Sequence, residues 1–170
     1  MATDFEAEMT FGSSADDVFA MFCDPEYTKL RCSETGGSEI EVSSDVAADG
    51  SAVLTMKRQV PAEVPSFAQS FVGETIEIDE THRWGPPEAD GSRTADITCS
   101  FGGLPVGFNG QATLTDNGSA DDSERTVFLL KASVKASIPF MGGKIEGVVR
   151  DQTLRLTAKE NEVARGWLEK

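Results

Sequence analysis

Between residues 4 and 11 apolar and polar positions alternate. Phe5, Ala7, Met9 and Phe11 fall on one side and Asp4, Glu6, Glu8 and Thr10 on the other, the pattern of a half-buried strand. The period then changes. Ser14 is placed to cap a helix whose first turn carries Asp16 and Asp17, where the helix dipole favours negative charge, and Val18, Phe19 and Phe22 form its apolar face. Asp24-Pro25 stops that helix, and residues 26–31, with Tyr27 and Leu30, predict a second short one. From there the alternation of strands returns, at 39–46, 51–60, 74–84, 93–101, 108–115 and 125–138. Turn signals separate them: Asp49-Gly50, Gly85-Pro86-Pro87 to Asp90-Gly91, the glycines around Leu104-Pro105-Val106, and an acidic loop at 116–124. A proline-bounded connector, 61–65, leads into one helical turn at 66–72.

The end of the chain reads differently. Phe140-Met141-Gly142-Gly143 breaks the backbone, and a helix is predicted over 144–167. Ile145, Val149, Leu156, Val163 and Trp167 recur at spacings that place them on one stripe. A long helix with one apolar face must bury that face on a sheet. The predicted order is therefore strand, two helices, six strands as a meander and a long helix, with the sheet curving around the last helix and its first strand closing against its last.

This order resembles the helix-grip fold shared by START domains, the birch-pollen allergen family and polyketide cyclase-like proteins. Ser14-Ala15-Asp16-Asp17-Val18-Phe19 followed by Asp24-Pro25-Glu26-Tyr27 is similar to the opening of that superfamily. The run from Ile138 through Pro139, Phe140, Met141, Gly142, Gly143, Lys144 and Ile145 to Glu146, with the closing Trp167-Leu168, resembles an actinobacterial START-like family of unknown function. The resemblance spans almost the whole chain. It implies an α+β fold with a seven-stranded curved antiparallel sheet wrapped around a long C-terminal helix, and two short helices after strand one. It says little of activity, because such a fold hosts lipid carriers, cyclases, hydrolase-like modules and co-chaperones.

Composition narrows the classes. A chain of 170 residues with no internal repeat is expected to form one domain, residues 1–170, with roughly 70% of its unfolded surface buried. Its net charge of −14 repels phosphate backbones and anionic lipid surfaces, which argues against nucleic acid as a partner. No segment has the apolar length of a membrane span, and Met1-Ala2-Thr3-Asp4-Phe5 does not open like a signal peptide. Three cysteines, Cys23, Cys32 and Cys99, without C-x-x-C spacing fit buried thiols in a cytoplasmic protein. The sequon Asn117-Gly118-Ser119 is discounted on the same grounds.

The inward phase of the strands supplies the candidate site. Leu54, Met56, Arg58 and Val60 share it on one strand, and Ile76, Ile78, Glu80, His82 and Trp84 on the next. It continues through Ala95, Ile97, Cys99 and Phe101, then Phe108, Gly110, Ala112 and Leu114, then Phe128, Leu130, Ala132, Val134, Ala136 and Ile138. Two features stand out. Arg58, Glu80 and His82 are polar yet share the inward phase, and an inward charge is costly unless paired. They form either the polar end of an otherwise apolar pocket, or strand ends turned to solvent. The central band of Ala95, Cys99, Gly110, Ala112, Ala132 and Ala136 lacks bulk, which either leaves a cavity or lets the helix approach closely.

Established catalytic sets are absent. His82 is the only histidine, no G-x-S-x-G occurs, no paired spacing suits a metal, and Gly143-Lys144 lacks the earlier glycine of a phosphate loop. No cofactor is therefore expected. The leading expectation is a cytosolic protein holding a small hydrophobic or amphipathic molecule, with Met56, Arg58, Ile78, Glu80, His82, Ile97, Cys99, Gly110, Ala112, Leu130, Val149 and Leu156 lining the pocket. One alternative is a cyclase or dehydratase with Glu80, His82 and Arg58 as acid, base and oxyanion partner. The other is a co-chaperone-like adaptor whose pocket has collapsed.

Overall fold

A computed structural model describes residues 2–118 and 123–170, with the side chain of Phe71 left out of the account. Part of the acidic loop at 116–124, and with it Ser119 of the sequon, lies outside the described residues. The chain opens with β1 (Thr3–Phe11), whose residues alternate between buried and exposed as the sequence demands. In α1 (Ala15–Phe22) Ser14 Oγ accepts the Asp17 N–H at 3.1 Å, and Val18, Phe19 and Met21 are buried. In α2 (Pro25–Glu34) Asp24 Oδ1 accepts the Glu26 N–H at 2.9 Å. This helix runs three residues beyond the expected end at 31, until Thr35 caps it by donating its hydroxyl to the Arg31 carbonyl at 2.8 Å. The extension matters, because it fixes Arg31 and Cys32 on the buried side.

Next come β2 (Ser38–Val46), β3 (Ala52–Pro61), the short α3 (Ser66–Val72), β4 (Thr75–Trp84), β5 (Arg93–Phe101), β6 (Val106–Asp116), β7 (Thr126–Ala136) and α4 (Gly142–Leu168). The seven strands form one antiparallel sheet in the order β1-β7-β6-β5-β4-β3-β2. Strand β1 closes on β7, with Phe5 opposite Ala132 and Met9 opposite Phe128. The expected α+β architecture is what the chain adopts.

The glycines before α4 start the helix instead of breaking the chain. Gly142 is its first residue and donates its N–H to the Ile138 carbonyl at 3.0 Å, so β7 ends at Ala136, two residues earlier than expected. A Cβ on Gly142 would sit 2.5 Å from the Ala136 carbonyl oxygen, so the turn from strand to helix leaves no room for a side chain there.

Helix α4 is pinned to one side of the sheet. Glu146 is buried, and its carboxylate accepts the Thr3 hydroxyl at 2.8 Å and the Ala136 N–H at 2.9 Å. Farther along, Asn161 Oδ1 accepts the Thr10 N–H at 3.2 Å, and Asn161 Nδ2 donates to the Thr10 carbonyl at 3.0 Å. Thr10 lies on an edge strand, so these backbone groups face away from β7, and the amide takes the place of a neighbouring strand. Arg165 donates to Thr10 Oγ1 at 2.6 Å. The helix thus follows β1 and β7, while β3, β4 and β5 curve away from it.

Replacing Asn161 with leucine leaves the Thr10 N–H and C=O without partners. The expected loss is about 1–3 kcal/mol of unfolding free energy, read from urea denaturation. An unchanged midpoint would show that the amide contributes no net stability at this edge.

Candidate functional site

Because α4 is tied down on the β1 side, the space between it and the far strands is not filled. A cavity of about 190 Å³ remains there. Leu54, Met56 and Val60 of β3, Ile76 and Ile78 of β4, and Ile97, Cys99 and Phe101 of β5 form its floor. Ile145, Val148, Val149, Gln152, Thr153 and Leu156 of α4 face them. The stripe expected on α4 is accordingly only partly covered: Ile145 is buried, whereas Val149, Leu156, Val163 and Trp167 are half-buried. Val64, Ala68 and Val72 of the connector and α3 roof the cavity. That roof is held to α4 by an ion pair of 3.0 Å between Glu63 and Arg155, by Gln152 Nε2 donating to the Glu63 carbonyl, and by Lys144 lying 5.7 Å over the Phe67 ring.

One end of the cavity is polar, and Glu80 is its centre. Arg31 Nη2 donates to both Glu80 oxygens, at 3.2 and 3.1 Å. Arg58 Nη1 lies 3.0 Å from Oε1, and His82 Nε2 is hydrogen-bonded to Oε2. On the other side of Arg31, its Nε stands 3.2 Å from Glu160 Oε1 of α4. Arg31, Arg58 and Glu80 are each no more than 9% exposed, so water screens this cluster weakly. Burial pushes the Glu80 carboxyl up, but Arg31, Arg58 and His82 together outweigh it and hold it well below the ordinary carboxylate range. Burial likewise raises the Cys99 thiol well above its ordinary value, with the Glu80 charge adding to it. Cys99 is therefore a poor nucleophile.

Of the twelve residues expected to line a pocket, the structure brings ten around the cavity: Met56, Arg58, Ile78, Glu80, His82, Ile97, Cys99, Leu130, Val149 and Leu156. Arg58, Glu80 and His82 point inward and are not turned to solvent at strand ends. Gly110 and Ala112 do not line it. Gly110 stands opposite Ile97 and Ala132. A Cβ there would meet Leu130 Cδ1 at 2.7 Å, so the Leu130 side chain already fills the space. Ala112 is fully buried between Ala95 and Leu130. Ala95, Gly110, Ala112, Ala132 and Ala136 serve close packing, Cys99 lines the cavity, and the hollow lies toward β3, β4 and β5.

Sequence reasoning missed Arg31 and Glu160. Both had a readable signal: Arg31 is four residues after Tyr27 on the buried face of α2, and Glu160 is four after Leu156, a charge set into an apolar stripe.

The depressed Glu80 value makes stability depend on pH. A carboxyl whose folded value lies below its unfolded one (about 4.3 for glutamate) stabilises fully above the unfolded value, and that contribution is lost as pH falls through the folded one. At neutral pH Glu80→Gln leaves two buried guanidiniums short of an anion, with an expected cost of about 3–5 kcal/mol. The gap between wild type and Glu80→Gln in urea should narrow as the pH drops below about 4.3. A gap independent of pH would contradict an ionised Glu80.

Comparisons with known proteins agree with this geometry. A truncated norcoclaurine synthase from Thalictrum flavum superposes with a TM-score of 0.59, at 17% identity, over 100% of this chain and 96% of its own. The Zhui aromatase/cyclase from Streptomyces sp. R1128 does so with a TM-score of 0.65, at 12% identity, over 99% and 94%. At such identities the likeness establishes the fold alone. An uncharacterized protein of Mycobacterium tuberculosis strain H37Rv is 26% identical over 174 aligned residues, covering 99% of this chain and 98% of that protein. Residues 6–168, nearly the entire chain, match the family described as protein of unknown function (DUF2505), and the chain belongs to that family.

Proposed function

We propose that the chain is a binding protein that holds one small apolar or amphipathic molecule between the sheet and α4, without covalent chemistry. The observation that carries this reading is the cavity itself: apolar walls, a roof pinned by side chains, and one buried polar end. Its size bounds the occupant. A dry cavity of about 150 Å³ takes up benzene, and this one measures about 190 Å³. A compound of one or two rings, or a short chain, fits; a two-chain phospholipid does not.

The enzyme alternative needs Glu80 as an acid. A carboxyl held ionised by two guanidiniums and a histidine has no proton to give at neutral pH. The adaptor alternative needs a collapsed pocket, and the space here is open. We place the protein in the cytoplasm and take residues 1–170 as one binding unit. All three cysteines are free, which suits a reducing compartment, and among the described residues no helix is long and apolar enough to cross a membrane.

Filling the cavity tests the reading. Leu156 is half-buried on the α4 wall, so Leu156→Trp should extend into empty space, leave the melting temperature within a few degrees, and abolish uptake of naphthalene followed by its fluorescence. Naphthalene bound equally by the variant and the wild type would overturn it. Native mass spectrometry of freshly purified protein should show an adduct of small mass that the variant lacks.

A further inference from the structure

The polar end of the cavity is closed on one side and open on the other. Glu80 is saturated by its three partners, and Arg31 donates from Nη1 to Met56 Sδ and from Nη2 to Glu80, with its Nε 3.2 Å from the Glu160 carboxylate. Arg58 is different. Its side chain is nine-tenths buried and its Nη1 is enclosed 3.0 Å from Glu80 Oε1, but its Nε and Nη2 are not closed off in the same way. Among the described residues, no hydrogen bond reaches the rest of its guanidinium, and Arg58 lines the cavity. Guanidinium N–H groups without a protein partner at the wall of a cavity are free to donate to a bound acceptor.

His82 presents the complementary group. A carboxylate can only accept, so the hydrogen bond between Glu80 and His82 Nε2 puts the proton on Nε2. In the neutral ring Nδ1 is then an acceptor, and among the described residues nothing donates to it. It is not among the buried unsatisfied atoms, so it reaches open space, and His82 lines the cavity. Arg58 and His82 thus flank the two oxygens of one carboxylate, one offering N–H groups and the other a lone pair.

Charge decides what kind of head fits between them. The groups facing His82 are Glu80 on its own strand, Arg58 on β3, Arg31 on α2, Glu160 on α4 and Cys99 on β5. Two guanidiniums balance two carboxylates, so the cluster is neutral when His82 is neutral. An anionic head would add an unbalanced charge in a site nearly closed to water, which is costly.

Resting on the binding role proposed above, we infer that the ligand is a neutral amphiphile whose head is a hydroxyl, which accepts from Arg58 and donates to His82 Nδ1, and that carboxylates and phosphates are rejected. A hydroxyl suits both partners at once, since it carries one donor and two lone pairs. The apolar body then lies along Ile78, Phe101 and Val149.

Three probes of similar size separate the possibilities: naphthalene, 2-naphthol and 2-naphthoate, titrated against the full chain by fluorescence near pH 8, where a histidine is ordinarily neutral. The expected order is 2-naphthol about tenfold tighter than naphthalene, with 2-naphthoate weaker than 2-naphthol by tenfold or more. In His82→Phe the advantage of 2-naphthol over naphthalene should fall to about one while naphthalene still binds; Arg58→Met gives the same readout should the first variant fail to fold. Wild type that binds naphthalene but shows no preference for 2-naphthol, or takes 2-naphthoate as tightly, overturns the hydroxyl head and leaves the cavity reading standing. Wild type that binds none of the three overturns both.

Discussion

An ionised carboxylate in the interior is the constraint on which the rest of this molecule depends. Left alone, Glu80 would protonate or pull water inward. Arg31 from α2, Arg58 from β3 and His82 from its own strand converge on it and favour the ionised form. Glu160 of α4 completes the set through Arg31. One carboxylate therefore joins four elements, α2, β3, β4 and α4, at this end of the sheet. Such a cluster is weak evidence of stability by itself, since well-packed apolar residues do as well or better. What it provides is a fixed polar surface at a set depth, in a place where apolar residues would offer only a wall.

The other half of the design is asymmetry. Asn161 and Glu146 hold α4 against β1 and the end of β7, and the alanines and Gly110 of the nearby strands let that half pack without gaps. A rigid helix pinned along one side of a curved sheet cannot also reach the other side. The space under β3, β4 and β5 follows from geometry, and α3 and the connector cover it with only side-chain contacts to α4. Few backbone hydrogen bonds cross that roof, so opening it costs less than moving the helix.

Much of this was legible in the chain. Alternation located all seven strands within a few residues, and a capped helix ending at Asp24-Pro25 and the stripe on α4 specified the architecture. Arg58, Glu80 and His82 were legible as inward polar residues because strand periodicity fixes which face a side chain takes. Only Gly110 and Ala112 were expected at the hollow and lie outside it. Missing bulk at Gly110 and Ala112 suggested empty space, but volume is set by what neighbours supply, and Leu130 supplies it. Strand periodicity gives the face a side chain takes but not which residues of the next strand stand beside it. Arg31 and Glu160 escaped because their partners lie far along the chain, on elements whose relative placement only the folded structure gives.

The same cluster bears on the binding role proposed for this cavity. Acid–base catalysis needs a group whose proton can leave and return near the working pH. Glu80 is fixed in one state by its neighbours, and Cys99 is fixed in the other by burial. His82 has a ring nitrogen without a partner among the described residues and lines the cavity, with Arg58 beside it. A lone acceptor and a lone donor, held rigidly by a carboxylate between them, recognise a head group of matching shape. The arrangement favours selection of a ligand by its charge and hydrogen-bonding pattern, at a depth set by the sheet and with a body length set by the roof.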